Sequence, residues 1–448
     1  MPLFDTTHRA QKLPDDGPRN GWWEILPPPP PARTLGGTIK ADWAIVGAGA
    51  CGIAVARRLA ELKPADSVVL VDASRVGYGA SGRNAGFMLN DHAHGGMEKH
   101  LEPGRRSNRL CGAGLDYLRE LVGQHQIQCD WSEWGRVYVA QGTAGEAHLA
   151  DLARAFDGLG VAYRTVDRRG MEAITGTGFY SRGLRADGST LVQPAAMMRG
   201  LGATLPANVD LREETPITEV RREAGGHRVA GHRLIAPEGE IEAKTVILAN
   251  GMFLEEFGYA KRRIVPIALF ASLTRQLSPD EVRRVGEEGE FGLLPASPNG
   301  STVRLTRDRR ILMRNTLYYG REKTYSPEMM ERVAANHREG IRRRWPDFED
   351  IELAGTWGGM MGFTRNEGTV FGEISPGVHA VTTTDAAPMT KGTIAGKLLA
   401  EQLSGIDSEL LQLLLSAPKA AWLPPDPILR FVVDWRIKRY EATDAAEL

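Results

Sequence analysis

DWAIVGAGACG, residues 42–52, decides the fold. An apolar run enters three glycines spaced GxGxxG (Gly47, Gly49, Gly52), a helical stretch follows from Ala50 to Leu62, and SVVLVD, residues 67–72, reads as a second strand. Strand, glycine turn, helix, strand is the βαβ pattern of an α/β fold. Gly47 permits the tight turn, Gly49 lets the backbone approach a pyrophosphate, and Gly52 lets helix and strand pack closely. The helix N-terminus adds N–H donors and partial positive charge. Asp72, 20 residues beyond Gly52, stands where a carboxylate hydrogen-bonds a ribose hydroxyl. In this setting the motif reads as a dinucleotide site; the alternative is a glycine-rich turn without a ligand.

The next stretch, ASRVGYGASGRNAGF at residues 73–87, separates FAD from NAD. Gly77, Gly79, Gly82 and Gly86 make a loop without helix or strand signals, long enough to wrap a second length of cofactor, with Arg83 and Asn84 as polar contacts. The alternative is a flexible surface loop, against which Val76, Tyr78 and Phe87 count.

Upstream, residues 1–40 look irregular and include the polyproline II run Pro27 to Pro31. The Trp22-Trp23 pair is too apolar to stand free and is expected to dock on the body. Downstream, helical periodicity marks about 96–124 and 193–206, and strand patterns mark GRVYVAQ, TPITEVRRE, HRVAGHRLIA, KTVILAN, RIVPIALFASLTRQL, STVRLTR and RILMRNTLYY. Ser326 with Pro327 caps a helix that Trp345-Pro346 stops, and VHAVTTT followed by Pro388 to Leu403 is a last strand–helix unit. The basic run Arg338, Arg342, Arg343, Arg344 reads as a solvated face.

A length of 448 residues fits two or three domains. With 55 basic and 56 acidic residues, the net charge of −1 gives no reason to expect nucleic acid or an anionic membrane as partner. No stretch approaches a membrane span, and the N-terminus lacks a secretory apolar region. Cys51, Cys111 and Cys129 show neither CxxC spacing nor a histidine cluster, so no metal site is expected and a reducing cytoplasm is the simplest setting.

The chain resembles the D-amino-acid oxidase-like family of FAD-dependent oxidoreductases, and within it the gamma-glutamylputrescine oxidoreductase branch. The matching pieces are Gly21-Trp22-Trp23, VGAGACG, VDASRVGYGASGRNAG, KTVILANG, RIVPIALFASLT, GTWGGMMGFTRN and KGTIAGKLLAEQL, in family order. The resemblance implies FAD, noncovalent or less often covalent, in a Rossmann-type domain interleaved with an antiparallel-sheet substrate domain. It divides the chain into an N-terminal extension (1–39), a cofactor domain (40–125, 187–255 and 351–405), a substrate domain (126–186 and 256–350) and a C-terminal tail (406–448). Beyond the residues named above, it places Ala73, Ser74, Ala80, Ser81, Ile217, Asn250, Gly251, Gly358, Gly359, Gly392 and Thr393 at the cofactor. Trp357 resembles a wall of the substrate cavity, with a core tryptophan as the alternative. Lys391, in the helix from Pro388, would stabilise negative charge on the reduced flavin pyrimidine; a solvated lysine is the alternative. The chain departs from the family before that helix, where Thr383-Thr384-Asp385-Ala386-Ala387-Pro388-Met389 lacks the usual histidine. After the Trp-Gly-Gly motif, Thr364-Arg365-Asn366-Glu367-Gly368-Thr369 also differs.

Hydride abstraction by flavin needs a neutral, well-placed amine more than a strong base. Candidates to line the cavity are His92, His94, Trp357, Arg365, Tyr318 and Tyr319, with Lys391 beside the ring. Arg365 is a candidate partner for a substrate carboxylate. Three readings stay open. The chain is an oxidase of a small amine or amino acid using oxygen, a dehydrogenase passing electrons to a carrier, or an assembly subunit that holds FAD without redox work.

Overall fold

The computed structural model describes residues 7–448 apart from 16, 18, 93, 95, 96, 98–100, 224–230, 383, 385 and 386. Gly37–Val46 carries its apolar end, Ala44, Ile45 and Val46, into the interior and pairs in parallel with Val68–Val71 on one side and Gly239–Leu248 on the other. Val209–Arg212 extends this parallel core beside Val68–Val71. Val378–Thr382 adds in parallel to residues 246–248, and Val370–Ser375 turns back antiparallel on it. Glu219–Glu223 and Gly231–Ala236 form an antiparallel wing, with Thr7–Arg9 at its edge.

The helices Ala50–Leu62, Leu101–Gln124 and Pro388–Leu403 pack together beside this sheet through Ile53, Leu59, Leu110, Leu118, Ile394 and Leu398. A Cβ on Gly396 would lie 2.3 Å from the Cys51 carbonyl oxygen, so this glycine sets how closely two of them cross.

The second sheet runs Leu353–Phe363, Val265–Thr274, Ile311–Tyr319, Thr302–Leu305, Phe291–Pro295, Arg136–Ala140, Arg182–Ala186, Tyr163–Val166. It is antiparallel except where Phe291–Pro295 meets Arg136–Ala140. Pro327–Arg344 covers it, capped by Ser326 as its sequence predicts. The α/β plus β-rich class is therefore the observed one.

Several local expectations are corrected. Residues 353–363 pair with Val265–Thr274, so the stretch assigned to the cofactor domain from 351 lies in the second sheet, and the chain returns to the first sheet only at Val370. The glycine loop holds a one-turn helix, Ala80–Arg83, and the extension holds Thr7–Arg9 and the turn Gly21–Glu24. Trp22 docks as expected: it is buried, and its Nε1 donates to the Asn84 carbonyl at 2.8 Å. The C-terminal tail contains two helices, Glu409–Leu415 and Ile428–Thr443. Arg344 is not solvated: it is buried, donating to Tyr180 Oη and the Glu447 carbonyl. None of the described helices is long and apolar enough to cross a membrane.

Candidate cofactor and substrate site

The glycine turn is built by close packing. Gly47 has φ of +102°, and a Cβ there would come 2.7 Å from the Ala249 carbonyl oxygen. At Gly52 a Cβ would come 1.8 Å from the Gly47 carbonyl oxygen, so any side chain would push helix Ala50–Leu62 off its strand. Gly49 differs: a Cβ there meets only Ser81 Oγ, at 3.0 Å, and its backbone borders open space at the helix start. Asp72 closes the turn, accepting from Ala48 N at 2.7 Å and from Ser74 N at 2.9 Å. Ser81 Oγ accepts from Ala50 N at 3.1 Å and so ties the second glycine loop to the first.

These elements surround a cavity of about 460 Å³ between the two sheets. Of the residues anticipated at the cofactor, Gly47, Gly49, Asp72, Ala73, Ser74, Gly79, Ala80, Ser81, Arg83, Asn84, Ile217, Asn250, Gly251 and Gly359 line it. The buried Asn250 Oδ1 has no hydrogen-bond partner among the described residues. A bare glycine backbone at a helix N-terminus, a carboxylate and an unanswered amide oxygen along one elongated wall suit the phosphate, ribose and base of a dinucleotide.

Other anticipated residues lie elsewhere. Gly52 and Gly82 serve packing, and a Cβ on Gly86 would strike Arg304 Nη1 at 2.1 Å. Gly358 faces away, against Tyr325, while Gly392 and Thr393 are buried inside their helix and Thr393 Oγ1 bonds the Met389 carbonyl. Arg83 borders the cavity but spends its donors on protein: Nε reaches the Gly358 carbonyl at 2.7 Å, and its Nη groups reach the carbonyls of Tyr78 and Arg19. It fastens the loop to the second sheet.

The candidate catalytic residues are mostly redistributed. Trp357 borders the cavity, and its indole is buried against Trp22 and donates to the Arg83 carbonyl at 2.9 Å. Ala387, Pro388 and Met389 line the cavity, so the helix from Pro388 does start there. Lys391 points elsewhere, into a smaller cavity of about 50 Å³ with Glu367. His94 is half exposed, with Nε2 3.5 Å from Glu367 Oε1, whose pKa this hydrogen bond lowers. His92 is buried behind it; burial, with Lys391 adding, pulls its pKa from 6.5 down to about 3 and keeps it neutral. Arg365 is exposed, Tyr319 donates to Asp426, and Tyr318 packs edge-on to Phe270. Asp385, with Thr383 and Ala386, lies outside the described residues.

The sequence reading missed Arg314. It lines the cavity from Ile311–Tyr319, and its Nε and Nη2 donate to Thr302 Oγ1 at 3.1 and 3.0 Å. Burial pulls its pKa from 12.5 to about 10, so it stays charged at neutral pH. No carboxylate pairs with it among the described residues. The available signal was a charged residue inside the apolar strand text RILMRNTLYY. Leu269, Phe270 and Met360 form apolar walls of the same cavity.

The family described as "FAD dependent oxidoreductase" matches residues 42–402. The chain is 26% identical over 403 residues to "Probable oxidoreductase OrdL" of Rhizobium meliloti (strain 1021), covering 88% of this chain and 90% of that one. It is 24% identical over 396 residues to "Gamma-glutamylputrescine oxidoreductase" of Escherichia coli (strain K12), covering 87% and 89%. Among solved structures, glycine oxidase from Geobacillus kaustophilus superposes with a TM-score of 0.65 at 20% identity, over 83% of this chain and 96% of that one. L-amino acid deaminase from Proteus myxofaciens gives 0.64 at 16% identity, over 91% and 96%. At these identities the structural likenesses establish the fold.

Proposed function

Because the chain belongs to the FAD-dependent oxidoreductase family, which matches residues 42–402, we propose that it oxidises the C–N bond of a small amino acid or a related carboxylate-bearing amine, with oxygen as acceptor. The enzyme is an FAD-dependent oxidoreductase, and FAD is its cofactor. The observation that carries the substrate reading is Arg314, a half-buried cation in the cavity wall without an acidic partner among the described residues. A cation partly withdrawn from water and left without an acid is costly, and a substrate carboxylate offsets that cost through a charge-assisted, bidentate pair.

The chemistry that FAD supplies is acceptance of a hydride from the carbon bearing the nitrogen. The chain does the rest. The glycine turn and the N-terminus of Ala50–Leu62 would hold the pyrophosphate, and Asp72, at the cavity wall beside them, would face the ribose. Arg314 fixes the carboxylate end of the substrate, while Leu269, Phe270 and Met360 exclude water and strengthen that ion pair. The helix start at Ala387–Met389 brings positive potential to the same cavity without a contribution from Lys391. The imine product hydrolyses after release. On this reading the cofactor domain comprises residues 40–125, 187–255 and 370–405, and the second sheet is the substrate domain. We place the reaction in the cytoplasm, where the three free cysteines stay reduced.

The test is anaerobic bleaching of the bound flavin by a panel of amino acids, N-methyl amino acids, gamma-glutamylated amines and simple polyamines, followed by peroxide measurement in air. Carboxylate-bearing members bleach fastest and yield stoichiometric peroxide. Bleaching without peroxide identifies a dehydrogenase, and no bleaching by any member overturns the proposed substrate class. In Arg314→Leu, KM for the best amino acid rises on the order of a hundredfold, about 3 kcal/mol. The corresponding amine without a carboxylate is unaffected. Equal losses for both would separate Arg314 from substrate.

A further inference from the structure

The helix Ile428–Thr443 has no buried residue, although it packs against Ile311–Tyr319. Its inner side is Leu429, Val433, Ile437 and Tyr440, all half-buried. On the outer side Ile428, Phe431, Val432 and Trp435 are 57%, 72%, 47% and 54% exposed. At 3.6 residues per turn these four fall within an arc of about 100°. Arg436 and Lys438 stand on the two flanks of that ridge, and Arg439 lies along its line, with its guanidinium 5.6 Å from the centre of the Trp435 ring. The acids of the helix, Asp434 and Glu441, are half-buried on the inner side. Asp426, just before the helix, is paired with Arg321.

We propose that this helix is a docking surface for an anionic lipid bilayer. It would lie flat in the headgroup region with Ile428, Phe431, Val432 and Trp435 inserted and Arg436, Lys438 and Arg439 among the lipid phosphates. A large Phe/Trp ridge bounded by cations is the composition that partitions into the bilayer interface, where apolar burial and electrostatic attraction add. Charge decides between this occupant and a second copy of the chain. A two-fold contact presents the same patch from both sides. The exposed ridge carries cations, while Asp434 and Glu441 sit half-buried on the inner side, so pairing with itself would bring like charges together with little to answer them. Lipid phosphates answer them directly.

Co-sedimentation of the full FAD-loaded protein with vesicles tests the proposal. Phosphatidylcholine vesicles containing about one third phosphatidylglycerol bring the protein down, and pure phosphatidylcholine vesicles do so far less. The triple variant Arg436→Gln, Lys438→Gln, Arg439→Gln lowers the partition coefficient on the order of a hundredfold, at about fivefold per cation. Phe431→Ser with Trp435→Ser abolishes binding. An unchanged flavin spectrum in both variants keeps a folding defect apart from a binding defect. The proposal is overturned by equal binding to neutral and anionic vesicles, or by no binding to either. It is also overturned if sedimentation velocity finds a dimer that Phe431→Ser with Trp435→Ser disperses while vesicle binding is absent.

Discussion

Asp72 uses both carboxylate oxygens on the turn it faces, one on Ala48 N–H and one on Ser74 N–H. Its loss therefore slackens the glycine turn and, on the proposed placement of the cofactor, removes a ribose partner as well. Asp72→Ala weakens FAD binding by about 1–3 kcal/mol in titrations of deflavinated protein, and Asp72→Asn, which keeps one acceptor, costs less. Gly49→Val is worse, because its Cβ already meets Ser81 Oγ at 3.0 Å and its methyls occupy cavity space. Wild-type affinity in both would remove the glycine turn from the site. A second residue-scale prediction concerns pH. Fully buried His337 accepts the Asn315 N–H on Nε2, so its proton sits on Nδ1 and is donated to Ser272 Oγ at 2.6 Å. Burial pulls its pKa from 6.5 to about 3. The ring is neutral when folded and protonates on unfolding below its ordinary pKa, so stability is lost as pH falls from 6.5 toward 3, by up to about 1.4 kcal/mol per pH unit. His337→Gln has a lower Tm at pH 7.5 but a shallower decline toward pH 5. Parallel declines would show that His337 does not titrate on unfolding.

At the scale of elements, the N-terminal turn Gly21–Glu24 acts as a clamp on the second glycine loop. Trp22 stacks edge-on to Trp357 at 6.5 Å, donates to the Asn84 carbonyl, and offers its own carbonyl to Gln193 Nε2 at 2.6 Å. Trp22→Ala lowers stability by about 3–5 kcal/mol and speeds FAD loss in ultrafiltration. Trp22→Phe recovers most of the stability while leaving the Asn84 carbonyl without its donor. If Trp22→Ala releases FAD at the wild-type rate, the clamp does not reach the cofactor. What the sequence disclosed and what it hid divide along the same line. The helix Ala50–Leu62 appears with the bounds its text predicts, because glycine spacing and apolar periodicity are local signals. Lys391 was misplaced because successive helix residues turn by about 100°: Met389 faces the large cavity and Lys391, two positions on, faces the small one. Trp-Gly-Gly was read as one unit, yet strand residues alternate, so Trp357 and Gly359 border the cavity while Gly358 turns to Tyr325. His94 and Arg365 lie outside regular elements, where no periodicity tells direction. Which strand faces the cavity is tertiary information, and Arg314 stayed hidden for that reason.

At the scale of the whole molecule, sums over the sequence conceal arrangement. A net charge of −1 says nothing of three cations gathered beside Phe431 and Trp435. Length likewise says nothing of connectivity, and the chain passes between the two sheets repeatedly. It leaves the first after Val68–Val71 for Arg136–Ala140 and returns by Val209–Arg212. It leaves again after Gly239–Leu248 for Val265–Thr274 and returns at Val370–Ser375. No cut at a single point frees either sheet with all its strands. The buried seam between them carries Arg83 bonded to the Gly358 carbonyl, Arg304 bonded to the carbonyls of Ala85 and Val192, and the cavity itself. Loss of either sheet strips the other of partners for these charged groups, which is expensive in a low-dielectric seam. Heating therefore produces one cooperative unfolding transition. The cavity proposed for FAD is lined from both sheets, so on that placement removing the cofactor lowers the midpoint of the single transition without splitting it. Free FAD at about a hundred times its Kd restores about 2.7 kcal/mol, and the midpoint continues to climb with the logarithm of FAD concentration. Differential scanning calorimetry of deflavinated and reconstituted protein across an FAD titration measures this. Two resolved transitions, with FAD raising only one, would mean that the sheets unfold independently and that the cofactor belongs to the first alone.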